Sequence, residues 1–244
     1  MSKVMARNGR RSTNDRPQDS MHRPFESIAA ITAACLPAAT RSEREQCAKQ
    51  RAFIAPAVGS KARSEATKLH LGCGPRYIPG FVHVDAQPAP HVDIVGPVER
   101  LPVEDDSVSL IYASHVLEHF GRYAYKAVLK EWFRVLQPGG ILRLSVPDFS
   151  VCAALYYENG LVDGLSGLVG LIVGGQRNSH DYHKMIFDEQ FLRHDLLDTG
   201  FREVRRWDWR ATEHADIDDY SQAYIPHLHK EDGRHMSLNL EGVK

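Results

Sequence analysis

Short apolar runs recur along residues 65–244, and polar turns containing glycine or proline separate them. Alternating or continuous apolar runs of four to eight residues are typical of β-strands. The predicted strands are Lys68–Gly72, Phe81–Asp85, Val92–Val95, Val108–Ala113, Ile141–Val146, Phe201–Trp207 and Ser237–Val243.

Two segments between these runs are predicted to be helices. From Arg122 to Leu136 apolar residues recur at helical spacing, and the stop signals of Gln137–Gly140 follow. Asp188 is a good N-cap for a second helix, which ends at Gly200. Strands that alternate with helices favour an α/β fold with a doubly wound, mostly parallel sheet. Ligands of such sheets bind beyond the carboxyl ends of the strands, so the residues after each strand are the place to look for function.

The chain divides by charge into a basic leader and an acidic body. It has 244 residues, a net charge of −1, 43% apolar residues and 25% charged residues, which excludes collagen-like and wholly disordered chains. Residues 1–64 carry a net charge of +7 and residues 65–244 a net charge of −8. The polar run Asn8–Ser20 predicts a largely disordered, flexible leader, and the body has the length of one domain.

Several locations and partners are disfavoured by composition. Acidic residues in the leader argue against an organelle-targeting peptide, and Ser27–Thr40 is too short to cross a membrane. The four cysteines are far apart, which favours a reducing compartment, and we expect a cytoplasmic protein. The acidic body disfavours a nucleic-acid partner, because phosphate contacts need a concentrated basic surface.

The first strand runs into the glycine turn Leu71–Pro75, and the second ends at Asp85. Glycines let the backbone approach a ligand closely, and a carboxylate after the next strand can accept hydrogen bonds from both ribose hydroxyls. Either feature alone is as well explained by an ordinary turn, but together they favour a nucleoside ligand. Tyr77 stands where a dinucleotide-binding loop needs a third small residue, which disfavours an oxidoreductase that uses a nicotinamide cofactor.

A wider set of motifs resembles the class I S-adenosylmethionine-dependent methyltransferases, specifically the type 11 group. The matching segments are Leu69–Gly74, Val84–Asp85, Glu99–Pro102, Asp106–Ser107, Ser114–His119 and Arg134–Gly140. The resemblance is strong over residues 68–147, and Ser237–Val243 is similar to the last, antiparallel strand of that family. It implies a Rossmann-like, seven-stranded methyltransferase domain over residues 65–244.

The resemblance also implies a cofactor site for S-adenosyl-L-methionine. Gly72, Cys73 and Gly74 would contact its methionine part, and Asp85 would hold the ribose. Val98 and Glu99 would flank the adenine. Ser114 and His115 would face the amino-acid end and the reacting methyl group.

Two departures from the family pattern are visible in the sequence. The segment between the first two strands is short, so we expect a turn in place of the usual first helix. Pro97 stands where family members usually have an acid, which removes a carboxylate and a backbone donor near the adenine.

Residues 149–187 and 209–236 are predicted to be insertions that form a substrate pocket. The candidates for proton transfer from the methyl acceptor are His115, His119, Asp148, His180 and His183. His119 is equally well explained as a structural cap. His180 and His183 could share one helix face, but no second strong motif completes a metal site, and we expect none.

The sequence therefore predicts a methyltransferase that acts on an oxygen or nitrogen of a small molecule. Similar proteins suggest a sugar or a polysaccharide precursor as the acceptor. The alternative is a non-catalytic partner subunit with the same fold. Oligomers are compatible with the sequence, which does not specify a state.

Overall fold

The computed structural model describes residues 67–160 and 165–244. The predicted leader, residues 1–64, lies outside the described residues. The strands are β1 (Lys68–Leu71), β2 (Val82–Asp85), β3 (Ile94–Val95), β4 (Val108–Ser114), β5 (Leu136–Pro147), β6 (Glu203–Arg206), β7 (Tyr224–Ile225), β8 (Arg234–His235) and β9 (Ser237–Val243). The α-helices are α1 (Tyr125–Val135), α2 (Phe149–Asn159), α3 (Leu165–Val173) and α4 (Glu189–Thr199).

Seven strands form one sheet in the order β3-β2-β1-β4-β5-β9-β6. The pairs β1–β2, β1–β4, β2–β3 and β4–β5 are parallel, and β9 is antiparallel to both β5 and β6. The predicted fold class, including the antiparallel last strand, is confirmed. Strands β2 and β3 lie on one side of β1, and β4 lies on the other side. This reversal of strand order opens a crevice at the carboxyl ends of β1 and β4.

Helix α1 confirms the predicted amphipathic helix, although it begins at Tyr125 instead of Arg122. Its buried face packs on the sheet, and Trp132 at its centre is fully buried. The indole Nε1–H of Trp132 donates a 2.9 Å hydrogen bond to the carbonyl of Val98. The helix therefore braces the loop between β3 and β4, which lies beside the predicted nucleoside site.

Strand β5 begins earlier than the sequence predicts, because Leu136 already pairs with Val108. The residues Gln137–Gly140, predicted as a stop signal, form an irregularity within the strand. A Cβ on Gly140 would lie 3.0 Å from the carbonyl oxygen of Val108 and 2.8 Å from that of Gln137. The missing side chain thus permits the close approach of β5 to β4.

One prediction about helices is confirmed, and two elements add to the sequence prediction. No helix lies between β1 and β2, as predicted from the short segment. Helix α2 was not predicted, because its apolar residues are not confined to one face. The short hairpin of β7 and β8 lies within residues 209–236 and was also not predicted. Among the described residues, the structure contains no helix long and apolar enough to traverse a lipid bilayer.

Candidate active site

The glycine turn after β1 contains two residues in the left-handed backbone conformation that glycine adopts readily. Gly72 and Gly74 have φ angles of 60° and 53°. Gly72 N donates to the carbonyl of Val84 at 2.8 Å, which ties the turn to β2. A Cβ on Gly74 would meet no atom within 4 Å, so open space lies beside it. The Cys73 side chain is buried, and burial raises the pKa of its thiol to about 12.

Asp85 lies at the end of β2 and faces the same turn. Its Oδ2 accepts a 2.8 Å hydrogen bond from the N–H of Gly74, and its Oδ1 accepts one of 2.8 Å from the N–H of Gln87. A carboxylate has about four acceptor sites, so both oxygens keep capacity for further donors. The two backbone bonds fix the carboxylate at the mouth of the crevice.

The loop after β3 carries the residues predicted to flank an adenine. Val98 is buried, and its carbonyl accepts the hydrogen bond from Trp132. Glu99 is exposed to solvent. Pro97 keeps this part of the loop without an amide donor, as the sequence indicates.

A cavity of about 750 Å³ opens next to the carboxyl end of β4. One wall comes from residues 167–183 and the other from residues 218–228, and both ranges lie inside the two predicted insertions. His115, His119 and His183 line it, together with the ion pair of Arg177 and Asp181.

Arg76 connects this cavity to the glycine turn. Its Nε donates a 3.1 Å hydrogen bond to the carbonyl of Asp218, and its guanidinium lies 5.3 Å from the ring centroid of Tyr220. The ring of Tyr220 in turn lies 5.2 Å from that of His115. Neither Arg76 nor Tyr220 was found by the sequence analysis, because their proximity depends on contacts between distant segments.

His115 follows β4 with a φ angle of 53°, which is uncommon for a residue with a side chain. Its backbone N–H donates to the carbonyl of Ser145 at 2.9 Å, so the neighbouring strand holds this conformation. Nε2 lies 3.0 Å from Ser237 Oγ, and Nδ1 lies 3.3 Å from Oε1 of Glu118. Burial is the main reason that the pKa of His115 lies well below its usual value, so the imidazole is neutral at pH 7.

Glu118 is the residue that the sequence analysis did not single out, although it lies within the Ser114–His119 motif. Its side chain is fully buried, and neither carboxylate oxygen makes a well-formed hydrogen bond. Burial raises the pKa of Glu118 to about 8. The spacing of His115 and Glu118, three residues apart, was the available signal.

His119 and His183 complete the cluster, with ring centroids 4.8 Å apart. His119 Nδ1 lies 3.1 Å from the carbonyl of Tyr182, and His183 Nδ1 lies 2.9 Å from that of Leu171. His183 Nε2 lies 3.9 Å from Glu118 Oε1. Burial lowers the pKa of both imidazoles.

The other two candidates for proton transfer lie in different surroundings. Asp148 is the N-cap of α2: its Oδ1 accepts from the N–H groups of Ser150 and Val151 at 3.0 and 3.4 Å. Its carboxylate thus has a structural partner that the sequence prediction did not foresee. His180 is exposed, and residues 180–183 are not helical, so the helix face predicted for His180 and His183 is wrong.

Residues 69–144 match the family model described as a methyltransferase domain. The match covers 76 of the 244 residues. It contains the glycine turn, Asp85 and the Ser114–His119 motif, so the predicted class I, type 11 resemblance is confirmed. The match supports a methyltransferase, for which the resemblance implies S-adenosylmethionine as the cofactor.

Solved methyltransferases are also similar to the chain at low identity. A S-adenosylmethionine-dependent methyltransferase from Thermotoga maritima is 14% identical, with a TM-score of 0.46 over 83% of this chain and 95% of that one. The 1,6-didemethyltoxoflavin-N1-methyltransferase of Burkholderia thailandensis is 15% identical, with a TM-score of 0.45 over 86% and 93%. A search of the curated proteins gave no match.

The residues of the methyltransferase domain fit this cofactor on structural grounds. The open space at Gly74 leaves room for a ligand against the main chain, and the carboxylate of Asp85 retains free acceptor sites beside it. Arg76, which follows the turn, and His115, which follows β4, both line the cavity.

Proposed function

We propose that the methyltransferase domain transfers a methyl group to an oxygen or nitrogen atom of a small polar molecule, with a sugar hydroxyl as the favoured acceptor. The cavity of about 750 Å³ beside His115 is the observation that supports this proposal. Pockets for small molecules have volumes of about 300–1,000 Å³ and combine apolar walls with a few well-placed polar groups.

The lining of the cavity favours a polar acceptor. Arg177 and Asp181 form an ion pair with 2.8 Å between Nε and Oδ2, and Asp218 lies on the opposite wall. Such groups can accept from or donate to several hydroxyls of one ligand. Leu171 and Ile225 supply apolar surface between them.

We assign cofactor binding to the residues around the crevice. Asp85 would accept the ribose hydroxyls, and the turn of Gly72, Cys73 and Gly74 would contact the methionine part. Val98 and Glu99 would flank the adenine. The carbonyl of Val98 already accepts a hydrogen bond from Trp132. Ser114 and His115 would lie nearest the reacting methyl group.

The bound cofactor supplies a methyl group on a positively charged sulfur, which needs no further activation. The protein has to place the acceptor in line with that methyl group and exclude water. Held by Gly72, Gly74 and Asp85, the cofactor would supply this methyl group to the acceptor oxygen, and the carbon–sulfur electrons would stay with sulfur. We propose that the cluster of His115, His119 and His183 assists loss of the hydroxyl proton, since all three line the cavity.

Calorimetric titration with S-adenosylhomocysteine tests the cofactor site. We expect micromolar binding by the native chain and a loss of at least about tenfold in affinity for Asp85→Ala, because the ribose hydroxyls lose a charged acceptor. Glu104→Ala is the matched control: this acid is exposed and lies away from the crevice, so its affinity should equal that of the native chain.

Methyl transfer is then measured by mass spectrometry with panels of sugars, nucleotide sugars and small amines. A mass gain of one methylene group on a sugar, dependent on the chain and the cofactor, would support the proposal. Cofactor binding without transfer to any member of the panels would instead favour a partner subunit. No binding of the cofactor product by the native chain would contradict the assigned site.

A further inference from the structure

The carboxylate of Glu118 is buried beside His115 and His183, which line the cavity, and ring nitrogens of these residues lie 3.3 and 3.9 Å from its Oε1. Its side chain has no solvent exposure, and both oxygens lack a well-formed hydrogen bond. A buried carboxylate is costly unless it is paired, hydrogen-bonded or bound to a metal. The histidine cluster next to the cavity therefore contains a buried acid whose natural partner is a positively charged ligand.

Two histidines present nitrogen lone pairs around that carboxylate. The Nδ1 atoms of His119 and His183 each face a backbone carbonyl, at 3.1 and 2.9 Å. A carbonyl only accepts, so each Nδ1 carries the proton and each Nε2 keeps its lone pair. Histidines that bind metals almost always donate their other ring N–H to a carbonyl or carboxylate in this way.

Main-chain hydrogen bonds hold the two segments of the cluster together. The carbonyl of Glu118 accepts from the N–H groups of Lys184 and Met185, at 2.7 and 3.1 Å. The N–H of His183 donates to the carbonyl of Val173 at 3.1 Å. The ligand atoms of Glu118, His119 and His183 all lie within 4.8 Å of one another, so small side-chain movements would bring them around one ion.

We propose that Glu118, His119 and His183 form a binding site for a divalent transition-metal ion, with Zn²⁺ as the favoured ion. Two imidazole nitrogens and one carboxylate oxygen are a common ligand set for such ions, and Mg²⁺ and Ca²⁺ prefer oxygen ligands alone. Three protein ligands leave at least one coordination position open. His119 and His183 line the cavity, so a small molecule bound there can fill that position.

The proposed role of the metal ion in methyl transfer rests on the proposed function; the binding of the ion does not. An acceptor hydroxyl that binds the ion through oxygen loses its proton more readily, because the positive charge stabilises the alkoxide. The proton passes to water in the cavity, and the oxygen keeps the electron pair that attacks the methyl carbon. His119 and His183 then serve as ligands rather than as proton acceptors.

Metal binding is testable without any acceptor substrate. The full chain is treated with a chelator, dialysed and titrated with Zn²⁺ by calorimetry, and with Co²⁺ by visible absorption. We expect one ion per chain and visible absorption bands of Co²⁺ with a low coordination number. Zn²⁺ should bind at least about tenfold more weakly to Glu118→Gln and to His183→Asn.

His194→Asn is the matched control for the titration. His194 belongs to a second group of candidate ligands on α4, in which His194 and Asp198 are exposed and Asp195 is buried. There, Asp195 already accepts from Tyr125 Oη at 2.5 Å and lies 2.9 Å from Lys126 Nζ. We expect this variant to bind Zn²⁺ as the native chain does.

The same samples are titrated with S-adenosylhomocysteine, which separates this inference from the proposed function. Variants that lose Zn²⁺ but retain the cofactor product are folded and support the metal site. The inference is overturned if the native chain binds no stoichiometric Zn²⁺ or Co²⁺, or if Glu118→Gln and His183→Asn bind Zn²⁺ as tightly as the native chain. Failure to bind S-adenosylhomocysteine would contradict the proposed cofactor site alone.

Discussion

Gly72 lies directly against the side chain of Val116, and a Cβ at Gly72 would be 2.6 Å from Cγ2 of Val116. The contact joins the turn after β1 to the turn after β4, the two strands that flank the crevice. Gly72 has a φ angle of 60°, so a side chain there is disfavoured for two separate reasons, backbone conformation and space. Gly74 has a similar φ angle but open space around it.

Gly72→Ala should therefore destabilise the fold more than Gly74→Ala. Both changes place a side chain at positive φ, at a cost of about 1–2 kcal/mol. The first adds an overpacking cost of about 1–3 kcal/mol, which the second avoids. The free energy of unfolding in urea measures the difference.

Val116→Ala tests the source of that difference. The double variant Gly72→Ala, Val116→Ala should lose less stability than the two single variants combined, because the clashing methyl groups are gone. Additive effects would show that the Gly72–Val116 contact is not the cause.

Arg134 fixes the loop between β3 and β4 to helix α1. Its guanidinium bonds both oxygens of Glu131, at 2.7 and 2.8 Å, and donates to the carbonyl of Val103 at 3.0 Å. Arg134→Met should lower the free energy of unfolding by about 1–3 kcal/mol, because buried acceptors lose their donors. Lys130→Met, at an exposed position of the same helix, should change it by less than about 0.5 kcal/mol in the same urea titration. Equal losses in both variants would contradict this role.

Asp148 should prove to be a helix cap by its pattern of substitutions. Asp148→Ala should reduce the free energy of unfolding by about 1 kcal/mol, because the N–H groups of Ser150 and Val151 lose their acceptor. Asp148→Asn should retain most of that stability, since an amide oxygen also caps. Chemical denaturation of the three proteins makes the comparison, and an alanine variant as stable as the native chain would refute the assignment.

The sequence predicts the fold well because its strongest signals are local. The alternation in the strands and the apolar face of α1 are visible within a few residues, and the glycine turn marks the end of β1. Helix α2 was missed because its own apolar residues are spread over all of its faces. Asp148 precedes the apolar run Phe149–Leu155, which is the position of a helix N-cap. Because it also follows β5, it was interpreted as a candidate for proton transfer.

The candidate site is less predictable because it depends on long-range contacts. Glu118 and His183 are 65 positions apart, and the hydrogen bonds from Lys184 and Met185 to Glu118 bring them together. Complete burial of the Glu118 carboxylate is likewise a property of the folded chain. The sequence therefore indicated candidate histidines but not the acid between them.

Stability should fall in mild acid because His70 is buried in its neutral form. Burial is the main cause that lowers the pKa of His70 from 6.5 to about 3. Smaller effects in the same direction come from His83, His214, His91 and Arg76. Its Nδ1 has no hydrogen-bond partner within the described residues, and its ring lies 5.3 Å from that of Tyr112. Below pH 6.5 the unfolded chain binds a proton that the folded chain does not, so this contribution to stability is complete above pH 6.5 and decreases towards pH 3.

His70→Phe should remove that part of the pH dependence. Between pH 6 and pH 4 the slope of unfolding free energy against pH should decrease by up to about 1.4 kcal/mol per pH unit relative to the native chain. Phe81→Leu is the control, because Phe81 contacts His70 and does not titrate, so it should shift the curve without changing its slope. Urea titrations of the three proteins across this range give the slopes. An unchanged slope in His70→Phe would mean that other groups cause the acid sensitivity.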